Sequence, residues 1–132
     1  MAPGERIKKH FKITCMTTQK LLCKICDGTM ILSLNRPEKL NAIDNDLSHE
    51  LLEALHAAGE DETVRVVLLK GNGRAFCAGR DLSAAPTEED LTSVQAVAQA
   101  IVSLSKPVRA AVHGWTVGAG LEWMLNADIV IA

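Results

Sequence analysis

Residues 64–69, VRVVLL, form an almost continuous apolar run, and residues 71–82, GNGRAFCAGRDL, follow as a glycine-punctuated segment. A Val-rich run without alternation of apolar and polar residues is typical of a β-strand that is covered on both faces. Such strands belong to parallel sheets with helices packed on them, and the glycines after the run indicate a loop. The stretch therefore predicts a buried parallel strand that ends in a loop.

On the N-terminal side of this strand, the sequence predicts a β-hairpin. Leu21–Cys26 and Thr29–Leu34 are short runs of β-prone residues separated by Asp27-Gly28. Asp-Gly between two such runs is a strong signal for a two-residue hairpin turn. Residues 35–42, NRPEKLNA, lack periodicity and contain a proline, so we expect a loop there.

Two amphipathic helices are predicted from apolar residues that recur every three to four positions. The first starts near Asp46, is capped by Asp44 or Asn45, and ends at Gly59. The second begins at residues 87–90, TEED, which resemble a capping box with Asp in place of Glu. Its apolar stripe comprises Leu91, Val94, Val97, Ile101 and Leu104.

Two further strands are predicted at residues 108–112 and 128–131. Between them lie a second glycine-rich loop, residues 114–120, and a short helix that runs through Met124. The element order is then β-β-α-β-α-β-α-β. Alternation of this kind predicts an α/β fold with crossover connections.

The folded domain is expected to cover residues 16–132. Residues 1–15, MAPGERIKKHFKITC, are basic and lack the apolar segment of a secretory signal. We expect them to be a disordered or non-native extension, with Met16 as the native start.

Composition excludes several classes of function. The formal net charge is −2, only 3% of residues are aromatic and no Tyr is present, so we expect no nucleic-acid partner. No apolar run approaches the ~20 residues that span a bilayer, so we expect no membrane partner and a cytoplasmic location. Cys23 and Cys26 form a C-x-x-C inside a predicted strand without a second pair, so we expect no metal and reduced thiols.

The glycine-punctuated loops are the candidate chemical sites. Residues 71–82 and 113–122, HGWTVGAGLE, each follow a buried strand, where ligands bind in α/β folds. Neither contains a P-loop, a complete dinucleotide-binding motif or a nucleophile elbow. Residues 118–120, GAG, at a helix start would present backbone N–H groups to an anion or a developing oxyanion. Glu122, in the first turn of that helix, is a candidate general base.

Three residues in these loops are expected to have structural roles. Asp81 is expected to cap its loop. His113 is expected to be a hydrogen-bonded structural histidine, and Trp115 is expected to pack in the structure or to form a pocket wall.

Three segments together are similar to successive signatures of the crotonase superfamily, the enoyl-CoA hydratase/isomerase family. They are residues 35–42, NRPEKLNA; residues 75–82, AFCAGRDL; and residues 114–122, GWTVGAGLE. The segments come in that family's order, and the resemblance extends over about residues 21–132. It implies an α/β fold of the crotonase type, a spiral core of ββα units.

The resemblance also implies an activity and the residues that carry it. Members of the family bind acyl-CoA thioesters and stabilise an enolate oxyanion with two backbone N–H groups. These groups correspond here to the N–H of Arg80 and the N–H of Ala119, where many members have Gly. Glu122 matches one of the two acid/base glutamates of the hydratases. We therefore expect enoyl-CoA hydratase activity, the addition of water to a 2-enoyl-CoA.

Coenzyme A would arrive as part of the substrate, so no separate cofactor is expected. The segments that resemble CoA-lining ones comprise Lys39, Leu40, Asn41, Ala42, Ala78, Asp81 and Leu82. The full-length family forms homotrimers or hexamers. We expect this chain to be truncated before the C-terminal helical and trimerisation region, and before the loop that carries the second hydratase glutamate.

Two alternatives stay open. An enoyl-CoA isomerase or an acyl-CoA hydrolase would use the same oxyanion site. In an alternative of another class, the chain is an inactive fragment that binds acyl-CoA weakly or assembles with a missing half.

Overall fold

The computed structural model describes residues 20–132, which form a mixed α/β domain; the expected extension at residues 1–15 lies outside the described residues. The strands are β1 (Leu21–Cys26), β2 (Thr29–Leu34), β3 (Val66–Gly71), β4 (Ala75–Cys77), β5 (Val108–Ala111), β6 (Trp115–Thr116) and β7 (Ile129–Ile131). The helices are α1 (Asn45–Glu60), α2 (Glu88–Ser103) and α3 (Ala119–Asn126), and a 3-10 turn spans Pro37–Lys39.

The predicted hairpin is confirmed with its boundaries. β1 and β2 pair antiparallel, with Cys26 opposite Thr29. The two turn residues, Asp27 and Gly28, have φ of 49° and 81°. Positive φ at both central positions is what the tight hairpin turn requires, which is why Asp-Gly was informative.

The main sheet has five strands in the order β1-β2-β3-β5-β7. All pairs after the hairpin are parallel, as the alternation of strands and helices predicted. Parallel strands place their carboxyl ends at one edge, so the loops after β3 and β5 lie side by side.

A second, two-stranded sheet lies inside the two glycine-rich segments. β4 and β6 pair in parallel, although both segments were predicted to be loop throughout. These strands have only three and two residues, too few for a periodic pattern to be visible in the sequence. The small sheet joins the two segments that carry the candidate chemistry.

Helix α1 starts as predicted but ends later. The Leu47 N–H donates to Asp44 Oδ1 at 2.9 Å, which confirms Asp44 as one of the two candidate caps. The prediction that Gly59 ends the helix is wrong, because the helix continues through Glu60. The Lys106 ammonium, distant in sequence, donates to the carbonyls of Ala58 and Asp61 and so satisfies the helix end.

Strand β3 begins two residues after the apolar run does. The N–H groups of Arg65 and Val66 both donate to the carbonyl of Gly28 in the hairpin turn. Regular pairing with β2 therefore starts only at Val66, and it continues to Gly71, which lies opposite Leu34. The other strand boundaries shift by one residue: β5 ends at Ala111 and β7 starts at Ile129.

Helix α2 carries the predicted capping box. The Asp90 N–H donates to Thr87 Oγ1 at 3.1 Å, and the Thr87 N–H donates to Asp90 Oδ2 at 2.7 Å. Leu91 is 57% exposed, so its assignment to the buried stripe is wrong. Burial on α2 begins only at Ser93, the sixth residue of the helix.

The core lies where α1 packs on the hairpin and on α2. Leu47, Leu51 and Leu55 of α1 are fully buried, as are Leu32 of β2 and Val67 of β3. Each such side chain contributes about 1.5–3 kcal/mol through removal from water. No helix within residues 20–132 combines the length and apolar character that crossing a bilayer requires.

Helix α3, two residues longer than predicted, is fixed to α2 by Trp123. The indole is fully buried, and its Nε1–H donates to the carbonyl of Val94 at 3.2 Å. Trp115 is 63% exposed, so its predicted packing role is not seen in this structure. Of the two tryptophans, Trp123 is therefore buried and Trp115 is exposed.

We predict that Trp123→Phe lowers the free energy of unfolding by about 1–3 kcal/mol, because the indole hydrogen bond to the Val94 carbonyl is lost and a small void opens. Trp115→Phe is the control, with an expected change within about 0.5 kcal/mol. Urea unfolding followed by circular dichroism measures both. Equal effects of the two substitutions would contradict the anchoring role of Trp123.

Candidate active site

The two glycine-rich segments are joined by backbone hydrogen bonds. The Phe76 N–H donates to the carbonyl of His113 at 2.8 Å, and the Val117 N–H donates to the carbonyl of Cys77 at 3.1 Å. Phe76 and Cys77 are fully buried, so β4 is held inside the domain. The loop after β4 and the turn before α3 therefore leave the core side by side.

Two glycines let these backbones approach each other. Gly79 has φ of +93°, and a Cβ there would lie 3.1 Å from the carbonyl oxygen of Val117 and 3.7 Å from the nitrogen of Ala119. A Cβ on Gly120 would lie 2.5 Å from the carbonyl oxygen of Cys77, closer than real contacts allow. Glycine is therefore required at both positions.

The backbone N–H of Arg80 points away from Ile43, the residue that pairs with it in an isolated parallel bridge. The Ile43 N–H donates to the carbonyl of Gly79, and the Asp81 N–H donates to the carbonyl of Ile43, each at 2.8 Å. Successive backbone groups of extended chain point to opposite sides, so the N–H of Arg80 points away from Ile43. Within residues 20–132, no hydrogen bond uses it.

The Ala119 N–H is likewise unused by the described part of the chain. Ala119 is the first residue of α3. Of the next donors, the N–H groups of Gly120 and Leu121 bond to the carbonyl of Val117, and that of Glu122 bonds to the carbonyl of Gly118. The first N–H groups of a helix have no partner within the helix, and the helix dipole adds positive potential there. Two free donors thus lie on either side of the Gly79–Gly118 contact.

Glu122 lies one turn into α3 with an exposed side chain. It lines an open cleft of about 380 Å³ between α2 and α3. Its position three residues after Ala119 places a carboxylate within one helical turn of that free N–H. This arrangement suits the transfer of a proton to or from a group held by the two donors.

The NRPEKLNA segment is locked to the same loops by Asn41. Asn41 is fully buried, and its backbone φ is 57°. Its Oδ1 accepts from the Arg36 N–H at 2.7 Å, and its Nδ2 donates to the carbonyls of Asn72 and Ala75 at 2.9 Å each. With its amide fully engaged, Asn41 can shape a ligand surface but offers no free polar atom to a ligand.

The other predicted CoA-lining residues lie along this junction. The Ala78 N–H donates to the carbonyl of Leu40 at 3.0 Å, so these two positions are adjacent. Lys39 is exposed at the end of the 3-10 turn, and Leu82 is 79% exposed. Ala42 is half-buried and its carbonyl accepts from the Arg36 guanidinium. Their contact with CoA stays a prediction.

Asp81 caps its loop as predicted and also binds Arg36. Its Oδ1 accepts from the Ser83 N–H at 2.9 Å, and its Oδ2 accepts from Arg36 Nη2 at 3.1 Å. Hydrogen bonds from Ser83, followed by the interaction with Arg36, lower the pKa of Asp81 from 3.8 to about 2. Arg36, to which the sequence analysis assigned no role, thereby ties the NRPEKLNA segment to the carboxylate of Asp81, the residue after Arg80.

Cys77 and His113 have structural roles. Burial raises the pKa of the Cys77 thiol to about 11, and its Sγ–H donates to the carbonyl of Asn41 at 3.2 Å. A neutral buried thiol is a poor nucleophile. The His113 Nε2 lies 2.6 Å from the carbonyl oxygen of Gly73, as expected for a hydrogen-bonded structural histidine.

In residues 20–132, no three His, Cys, Asp or Glu side chains cluster as metal ligands would.

We predict that Gly120→Ala destabilises the fold by about 1–3 kcal/mol or more, because its Cβ would collide with the rigid backbone of β4. Gly59→Ala is the control. A Cβ at Gly59 would meet only the tip of the Leu104 side chain, at 3.2 Å, so the change should stay within about 1 kcal/mol. Chemical unfolding measures both, and a benign Gly120→Ala would disprove the close approach.

We also predict a pH signature for Asp81. Because its folded-state pKa lies below the ordinary value, its carboxylate stabilises the fold above about pH 4, and this contribution is lost as the pH falls towards 2. Asp81→Asn should flatten the decline of unfolding free energy between those pH values, whereas Glu62→Gln, at an exposed site, should not. Identical slopes in all three proteins would contradict the assignment.

Comparisons with known proteins identify the family of sequences that this chain resembles. The model of the enoyl-CoA hydratase/isomerase family matches residues 24–132. The chain is 38% identical over 122 residues to 1,2-epoxyphenylacetyl-CoA isomerase of Escherichia coli K12, covering 85% of this chain and 47% of that protein. It is 40% identical over 123 residues to a probable enoyl-CoA hydratase of Rhodobacter capsulatus, covering 89% of this chain and 47% of that protein.

Solved structures show the same backbone. A putative enoyl-CoA hydratase/isomerase (crotonase) from Legionella pneumophila superposes with a TM-score of 0.82 at 37% identity, over 87% of this chain and 48% of that one. An enoyl-CoA hydratase from Mycobacterium avium subsp. paratuberculosis gives 0.80 at 32% identity, over 84% and 45%. The chain spans about half the length of these relatives. It belongs to the enoyl-CoA hydratase/isomerase family and has the fold of the crotonases over the region it shares with them.

Proposed function

We propose that the chain binds acyl-CoA thioesters and takes part in the addition of water to a 2-enoyl-CoA. The observation that carries this proposal is the pair of N–H groups, of Arg80 and Ala119, that residues 20–132 leave without an acceptor on either side of the Gly79–Gly118 contact. Preorganised donors aimed at one point suit an oxygen that gains negative charge, and each is typically worth about 3 kcal/mol.

In this mechanism the thioester oxygen accepts hydrogen bonds from both N–H groups. Glu122 takes a proton from water, and the resulting hydroxide forms a bond to C3 of the enoyl group. The electron pair of the C2–C3 double bond forms the C1–C2 double bond of an enolate, and the carbonyl electron pair moves onto the thioester oxygen. Glu122 then returns the proton it took from water to C2, which restores the thioester carbonyl and gives the 3-hydroxyacyl-CoA.

We further propose that the CoA part of the substrate lies along the junction of the NRPEKLNA segment with the Gly79 loop. Exposed Lys39 is placed to meet a phosphate, and exposed Leu82 is placed to meet the apolar arm of the thioester. Homo-oligomerisation of the kind expected for the full-length family is part of the same proposal.

Double-bond isomerisation is the second candidate, because the same oxyanion site would stabilise the enolate that it passes through. In this reaction Glu122 would remove a proton from C2 of a 3-enoyl-CoA and return it to C4. The reaction would use the same oxyanion site and would need no water. Hydration of crotonyl-CoA, conversion of a 3-enoyl-CoA, and release of free CoA thiol separate hydratase, isomerase and hydrolase by their products.

We predict that Ala119→Pro weakens the binding of acetoacetyl-CoA about 10- to 100-fold, because it deletes one of the two donors. Proline is tolerated at the first position of a helix, so the fold should survive. Glu88→Pro, at the first position of α2, is the matched control. Calorimetry on proteins shown to be folded by circular dichroism measures the loss. Unchanged affinity in Ala119→Pro, or no heat with the unaltered chain, would end the proposal.

We predict that Glu122→Gln lowers crotonyl-CoA hydration by a factor of about 100 or more while acetoacetyl-CoA still binds. Glu88→Gln is the control, since Glu88 is likewise an exposed acid in the first turn of a helix. Its rate should match that of the unaltered chain. Equal hydration rates in all three proteins would remove Glu122 as the base.

A further inference from the structure

The cleft beside Glu122 has a polar lining. It lies between α2 and α3, has a volume of about 380 Å³, and is lined by Gln95, Ala98, Gln99, Val102, Glu122 and Asn126. Four of these six residues end in an amide or a carboxylate. An acyl pocket made for plain hydrocarbon would be lined mainly by apolar side chains.

Two of the amides are available to a ligand. Gln95 and Gln99 lie one turn apart on α2, both exposed, and no hydrogen bond of the described residues uses either side-chain amide. Asn126 is partly engaged, because its Nδ2 donates to the carbonyl of Glu122 at 2.9 Å. The α2 wall therefore offers both donors and acceptors, whereas Ala98 and Val102 supply the apolar surface between them.

The cleft begins where the acyl chain would pass Glu122. With a rise of about 1.5 Å per residue, Glu122 lies about 4.5 Å and Asn126 about 10 Å along α3 from the Ala119 N–H. An acyl group whose thioester oxygen is held at Ala119 can thus place a substituent about 5–10 Å away between the amides.

The charge of the lining restricts that substituent further. Among residues 20–132, no Lys or Arg lines the cleft, and Glu122 contributes a carboxylate. A carboxylate on the acyl group would meet a like charge without a compensating cation, which is unfavourable. An uncharged hydroxyl, keto or amide group would instead find partners on α2.

We propose that Gln95 and Gln99 determine substrate specificity, and that they select acyl-CoA thioesters with an uncharged hydrogen-bonding substituent towards the end of a short acyl chain. This inference rests on the proposed function, since it takes the thioester to lie at the Arg80 and Ala119 N–H groups. It adds the class of acyl group that the site accepts.

The test compares three thioesters of equal chain length: hexanoyl-CoA, 6-hydroxyhexanoyl-CoA and adipyl-CoA. The unaltered chain should bind the hydroxy compound about three- to tenfold more tightly than hexanoyl-CoA, the gain of a neutral hydrogen bond, and adipyl-CoA least tightly. In Gln95→Leu/Gln99→Leu the preference for the hydroxy compound should disappear and hexanoyl-CoA should bind more tightly. Thr92→Leu, at an exposed site on α2 outside the cleft, is the control.

The outcomes separate the two proposals. If all three thioesters bind equally and the double variant changes nothing, the specificity assignment is overturned while acyl-CoA binding stands. If adipyl-CoA binds most tightly, the charge argument is wrong and so is the assignment. If none binds to folded protein, the proposed function fails and this inference fails with it.

Discussion

The structure depends on the close approach of two chain segments that meet at glycines. Gly79 packs against Val117 and Gly118, and Gly120 packs against β4 at Cys77. Interiors are so densely packed that a single added Cβ cannot be absorbed when its neighbour is backbone. The contact fixes the start of α3, and therefore the direction of its first N–H groups and of the carboxylate one turn later.

Side-chain hydrogen bonds of Arg36, Asn41 and Trp123 stabilise the segments around this glycine contact. The side chains of Arg36 and Asn41 bind three separate segments, and most of their partners are backbone carbonyls or a carboxylate far away in sequence. Trp123 holds the other side of α3 against α2. The hydrogen bonds of Arg36 and Asn41 and the buried indole of Trp123 thus together hold α3 and the loops beside it in place. Catalysis by preorganised N–H donors requires such rigidity.

Elements whose signals are local could be predicted from the sequence. The Asp27-Gly28 turn, the Asp44 cap and the box at Thr87 and Asp90 each depend on residues within a few positions, and all three are confirmed. Features set by distant partners could not. Lys106 extends α1 past Gly59, and Gly28 delays the start of β3, although neither partner is near in sequence.

The same division applies to the site. The positions of Arg80 and Ala119 follow from a resemblance, and the structure adds that their N–H groups are unused by residues 20–132. Arg36 lies inside the NRPEKLNA segment, but its contacts could not be predicted from that segment, and the cleft-lining glutamines gave no signal in the sequence. A charged residue in a loop and two polar residues on a helix are ordinary surface features until the fold shows what lies beside them.

The most direct test follows the backbone amides of ¹⁵N-labelled protein during a titration with acetoacetyl-CoA. The account predicts that the Arg80 and Ala119 amide signals shift downfield together, with one dissociation constant, as both donate to the same oxygen. Exposed amides remote from the site, such as that of Glu62, should stay unchanged. Shifts elsewhere on the protein while these two amides stay in place would show that the thioester binds at another site and would contradict the central claim.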